Sequence, residues 1–130
     1  MTRPRLTLSI LPERFAICRL EKDAPIPVWA LHGKFVSLTR TAEELSIVCS
    51  ESDVPPDVRG QRGWRCIKVQ GPLDFSQPGI LASLAAPLAE AGISIFAQAT
   101  YDTDYVLVDG QQLEESVRVL SESGHQIQQP

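Results

Sequence analysis

Apolar residues recur at every second position through most of this chain, and at helical spacing in two places. The two-residue period marks "RLTLSIL", "RFAICRL", "KFVSLTR" and "LSIVCS" as strands, followed by "WRCIKVQ" (Trp64–Gln70). Ile80, Leu81, Leu84 and Leu88 then fall on one helical face. Ser76 is placed to cap that helix, Pro78 suits its first turn, and Gly92 stops it in a left-handed conformation. Pro87 removes one backbone donor from the helix interior, so a kink is expected there. "ISIFAQAT" alternates as a half-buried strand, "YDTD" turns the chain, and "YVLVD" is the next strand. Asp109 with Gln112 resembles a capping box ahead of a second helix faced by Leu113, Val117 and Leu120. Gly124 ends that helix and "HQIQ" supplies a last short strand.

From Trp64 onward the order is β-α-β-β-α-β, which predicts an α+β fold of the ferredoxin-like βαββαβ type. Before it, the first two strands read as a hairpin and "TAEE" as a short helical turn between two more strands. That half reads as a shorter, incomplete, β-rich version of the same unit. Prolines, charges and glycines in "ESDVPPDVRGQRG" separate the halves, giving an N-terminal module over 1–58 and a C-terminal one over 59–130.

Composition narrows the function. With 130 residues, 43% apolar and 22% charged, the chain is an ordinary globular sequence, and no apolar run approaches the ~20 residues that cross a bilayer. Its N-terminus reads as a strand instead of a signal peptide, which suggests a cytoplasmic protein. A net charge of −4 argues against nucleic acid and anionic membrane as partners. Cys18, Cys49 and Cys66 lie singly in apolar runs, as buried reduced thiols do, and His32 and His125 lack carboxylates or cysteines at ligand spacing. Neither a metal nor another cofactor is expected.

The chemistry gathers in "QGPLDFSQPGILASLAAPLAEAGISIFAQATYDTDY". In a β-α-β-β-α-β unit, the loop after the first strand (Gly71–Gly79) and the turn after the second (Thr100–Asp104) lie at the same end of the sheet. One carries a helix N-terminus, whose free N–H groups suit a carboxylate. The other carries Asp102 and Asp104, which suit an ammonium or guanidinium group. Together they describe a receptor for a zwitterion such as a free amino acid. The plainer alternative is that the aspartates cap turns.

The same stretch resembles the ACT domain, a ferredoxin-like amino-acid-binding regulatory module. It is most similar to small stand-alone tandem ACT proteins, the regulatory tails of aspartate kinases and the animal cytosolic arginine sensors. "FVSLTRTAEELSIVCSE" resembles the shorter ACT-like repeat of those proteins. The resemblance implies an allosteric sensor with its ligand at a module or dimer interface, hence a homodimer and a downstream protein of unknown identity. It places Asp74, Phe75, Ser76, Gln77, Gly79 and Ile80 on one side of the ligand, and Thr100, Tyr101, Asp102 and Asp104 on the other. Asp104 matches the aspartate that holds the ligand's basic group in the arginine sensors. Gln77 stands where those sensors are acidic, and Tyr101 where they have a different aromatic, so a basic amino acid other than arginine also enters the reckoning.

Three rivals differ in what they need. Catalysis needs a nucleophile elbow or a deep carboxylate pair, and the chain has no G-x-S-x-G and no histidine in the two loops. RNA recognition by this topology needs a basic-aromatic third strand, whereas "DYVLVD" is acidic at both ends. "GQRG" (Gly60–Gly63) precedes a strand instead of joining two helices and reads as a solvated linker. A protein–protein interaction module without a ligand remains the strongest alternative.

Overall fold

A computed structural model describes residues 4–73 and 76–129. The chain forms two compact units. One is Glu13–Trp64; the other joins the segment up to Pro12 with the chain from Arg65 onward.

The Glu13–Trp64 unit is built on β2 (Phe15–Leu20), β3 (Ser37–Arg40), β4 (Leu45–Ser50) and the start of β5 (Gly60–Val69), β1 (Thr7–Ile10) lying in the other unit. β4 pairs antiparallel with both β2 and β3. Where a full module has its first helix, this unit has a single 3₁₀ turn, Val28–Leu31, whose Ala30 packs with Ala16, Leu45, Ile47 and Val54. Thr41–Glu44 is a tight hairpin turn and not the helical turn expected from "TAEE". The Thr41 hydroxyl accepts from the amides of Glu43 and Glu44, both at 3.1 Å, which competes with helix formation. "GQRG" is not a linker but the beginning of β5. The register slips by one residue between Phe15↔Trp64 and Ile17↔Gln61, and Gly63, at φ +82°, supplies the bulge. A Cβ at Gly60 would lie 2.7 Å from the Ile17 carbonyl oxygen, so only glycine fits beneath β2.

Cys18 and Cys49 are free and buried in this unit. A hydrogen bond between the two thiols holds Cys18 below its ordinary pKa; the same bond, with burial, pushes Cys49 far above it. Cys66, in the other unit, is also free and buried.

The second unit runs β5, α1 (Ile80–Glu90), β6 (Ile95–Ala99), β7 (Asp104–Asp109), α2 (Leu113–Glu122) and β8 (Gln126–Gln128), the expected β-α-β-β-α-β order. The hairpin expected of the first two strands does not form. β1 pairs instead with β5 (Leu8↔Val69) and, in parallel, with β8 (Leu8↔Ile127). Both its edges are taken, and the fully buried Leu8 joins a core of Ile67, Val69, Leu84, Leu88, Val106 and Leu120. The strand order is therefore β6-β7-β5-β1-β8. Alternation shows that a strand exists, but it does not name the strand's partner.

The helix boundaries also differ from expectation at one end. Gly79, not Ser76, is the N-cap of α1, with φ +83°. Asp109 does cap: its carboxylate accepts from the Gln111 amide at 2.9 Å, opening a 3₁₀ turn that leads into α2.

Pro87 lies buried inside α1, and the helix continues three residues past it to Glu90. Because proline has no N–H, the Ser83 carbonyl four residues earlier loses its helical donor. His125 replaces it. Its Nε2–H donates to the Ser83 oxygen at 3.0 Å, while Nδ1 accepts from the Leu6 amide at 3.1 Å, which fixes a neutral Nε2–H ring. One buried imidazole thus ties α1, the approach to β1 and the approach to β8.

His125→Ala should destabilise the protein by about 2–3 kcal/mol, because it strands two polar groups at once. In Pro87→Ala/His125→Ala the restored amide should satisfy Ser83 and recover roughly 1 kcal/mol of that loss. Urea unfolding of the four proteins measures this coupling, and strict additivity would contradict it. Replacing all three cysteines by alanine or valine should cost stability through lost packing and the lost thiol–thiol hydrogen bond, and leave ligand affinity unchanged in calorimetry.

Candidate functional site

The chain between β5 and α1 and the turn between β6 and β7 meet. The Leu73 amide donates to the Asp102 carbonyl at 2.7 Å. The buried Thr103 hydroxyl donates to the Val69 carbonyl at 2.6 Å. Gly71 sits beneath the turn so closely that a Cβ there would lie 3.0 Å from the Asp102 oxygen and 3.1 Å from Thr103 Cβ. The turn also closes on itself. The Thr100 amide donates to the Thr103 carbonyl at 2.8 Å, and the Thr100 hydroxyl donates to that same oxygen at 3.0 Å. Its backbone groups are largely spent in holding shape, and its side chains project from a fixed frame.

Between the two segments lies a cavity of about 150 Å³. Gln77, Ile80, Thr100, Tyr101, Asp102 and Asp104, all expected as site residues, line it. Ser76 and Gly79 do not line it; Gly79 is the N-cap of α1. Asp74 and Phe75 lie outside the described residues. Leu73, Ala99 and Thr103 complete the wall. Leu73 and Thr103 lie within the two segments expected to meet, but as an apolar and a small residue beside aspartates they carried no signal of their own, and Ala99 lies just outside them.

The cavity is chemically one-sided. Asp102 and Asp104 bring carboxylates, and no lining side chain carries a positive charge. Leu73, Ile80 and Ala99 supply apolar contact suited to methylene groups. Ile80, the first residue of α1, also lines the cavity; the N-cap of that helix is a glycine without a side chain, and its first turn holds no acidic residue. The positive end of a helix dipole is a place where an anion is favoured. Tyr101 is 82% exposed and stands at the mouth. No group of three or more metal-ligating side chains gathers anywhere among the described residues. No described helix is long and apolar enough to cross a membrane.

A family model for the ACT domain matches residues 59–122, and a second model, of an N-terminal domain, matches residues 13–57. Residues 59–122 of the chain are an ACT domain. A crystal structure of an Agrobacterium tumefaciens protein superposes with a TM-score of 0.93 at 44% identity, covering 98% of this chain and 95% of that one. The cytosolic arginine sensor for mTORC1 subunit 1 of Bos taurus is 30% identical over 99 residues, which is 68% of this chain. This chain spans only 30% of that sensor's length. The regulatory subunit of aspartate kinase from Thermus flavus shares the fold, with a TM-score of 0.64 at 10% identity over 92% of this chain and 99% of that one. The ACT domain here thus has the two meeting segments in a fold that regulatory subunits also use.

Thr103→Val keeps the shape of the side chain but leaves the Val69 carbonyl without this donor. It should destabilise the ACT domain by about 1–3 kcal/mol, and Thr103→Ser should recover most of that. Thermal or urea unfolding checks both. Equal losses in Val and Ser would show that the methyl group matters and the hydrogen bond does not.

Proposed function

We propose that the protein is a non-catalytic regulatory receptor for a free amino acid with a basic side chain, with 59–130 as the binding module and 1–58 as its companion. The single observation that carries this is one cavity lined both by the Asp102 and Asp104 carboxylates and by Ile80, the first residue of α1. Asp104, helped by Asp102, takes the ammonium or guanidinium group. The amides at the start of α1 take the α-carboxylate. Leu73, Ile80 and Ala99 accept the methylenes between them. The likeness to a cytosolic arginine sensor supports this ligand class and a cytoplasmic setting. A homodimer and a downstream protein partner complete the proposal. Gln77, on the cavity wall, is neutral, and so lysine stands beside arginine as a ligand.

Calorimetry with L-lysine, L-arginine, L-leucine and agmatine separates the two poles. Basic amino acids should bind, leucine should bind more weakly, and agmatine, which lacks the carboxylate, should lose most of the affinity of arginine. Asp104→Asn should weaken the basic ligands about ten- to hundredfold, as expected for removing a charge-assisted hydrogen bond. Unchanged affinity for all four would mean that the aspartates are turn caps. Light scattering should give twice the chain mass, and a monomer would remove the homodimer from the proposal.

A second reading, an interaction module without a ligand, draws on Ile26, Val28 and Leu31, which are 49%, 72% and 58% exposed within one short stretch. It predicts no heat with any amino acid.

A further inference from the structure

The turn Thr100–Thr103 has a second side. Opposite the cavity described above lies another, of about 250 Å³, which shares Thr100, Asp102 and Thr103 with it and takes the rest of its wall from Lys68, Gln70, Gly71, Pro72 and Tyr105. Strand alternation explains why these side chains meet. Ile67 and Val69 on β5, like Val106 and Val108 on β7, point into the core with the helices. Lys68 and Gln70, and Tyr105, therefore project from the opposite face of the sheet.

The wall is mostly polar and holds opposite charges. Lys68 is half-buried, and no salt bridge engages it among the described residues. Asp102 is the opposing carboxylate on the same wall. Its charge reaches this side of the turn, because it helps, after burial and the neighbouring Cys66, to push the Tyr105 phenol above its ordinary pKa. Lysine and aspartate face one cavity without forming an ion pair with each other within 4.0 Å. Such an arrangement leaves both charges available to a ligand that carries the complementary pair, and the polar wall has few apolar atoms to hold a long side chain.

We propose that this cavity is a second binding site, for a small zwitterion: an α-amino acid with a short, uncharged side chain. Lys68 holds the carboxylate, Asp102 holds the ammonium, and the Gln70 amide offers hydrogen bonds to the remainder. The site differs in ligand from the Asp104 cavity, which has no cationic side chain, and it stands whether or not that cavity binds a basic amino acid. The shared turn places the two ligands back to back, with Asp102 common to both.

The test is a titration of the 15N-labelled full chain with L-serine, followed by amide shifts, with acetate and methylammonium as half-ligands. L-serine should move Lys68, Gln70 and Tyr105 along saturable curves, and each half-ligand should bind at least about tenfold more weakly. Lys68→Met, which keeps the apolar stem, should reduce serine affinity roughly tenfold or more. Tyr105→Phe should have a smaller effect. Asp104→Asn should leave serine binding at Lys68 unchanged, so that failure of the basic-ligand site and failure of this one are read separately. Shifts confined to Gln77, Ile80 and Asp104, equal binding of acetate alone, or no saturation with the parent chain would each overturn the proposal.

Discussion

The Thr103 hydroxyl on the Val69 carbonyl joins two segments that sequence separates by thirty-four positions. With the Leu73–Asp102 amide bond and the close seat of Gly71, it makes the ends of β5 and β6 one rigid object. The candidate receptor depends on that joint. The backbone that carries Asp102 would otherwise sample many directions, and ordering it on binding would cost part of the affinity. A turn already closed by its own hydrogen bonds meets that cost during folding. The same joint explains why cavities form on both of its sides: a rigid ridge between two strand ends leaves a hollow on each flank.

The helix opposite the turn is held by an equally local substitution of partners. Pro87 deprives Ser83 of its donor, and His125 returns one from the far end of the chain. The imidazole also receives the Leu6 amide, so it fixes α1 against the strands that flank it. The position of the N-terminus of α1, whose Ile80 lines the cavity, rests on this bond as well as on the apolar packing of Ile80, Leu84 and Leu88.

Much of the second unit was legible because its signals are local and redundant. Leu84 and Leu88 face a core, Gly92 and Gly124 have the positive φ expected of helix stops, and Asp109 caps as its position suggests. The meeting of the two loops was legible from element order, and six of the residues that the family resemblance placed around a ligand line one cavity. What was not legible required knowledge of partners. β1 alternates like a hairpin strand yet pairs with β5 and β8, because period-two patterning carries no address. Ser76 and Gly79 are both acceptable caps by composition, and only the backbone φ at Gly79 decides between them. The "GQRG" segment has linker composition, but Gly60 is there for close approach to β2 and Gly63 for a bulge. His125 offered no ligand spacing, and its role appears only when Pro87 is seen to leave a carbonyl unpaired.

The central claim is that loop and turn act as one receptor, and an NMR titration of the chain with L-lysine tests it most directly. The amides of Ile80 and Gln77 on one segment and of Tyr101, Asp102 and Asp104 on the other should shift together, along curves that fit a single dissociation constant. Shifts on one segment alone, or two segments following different constants, would contradict it.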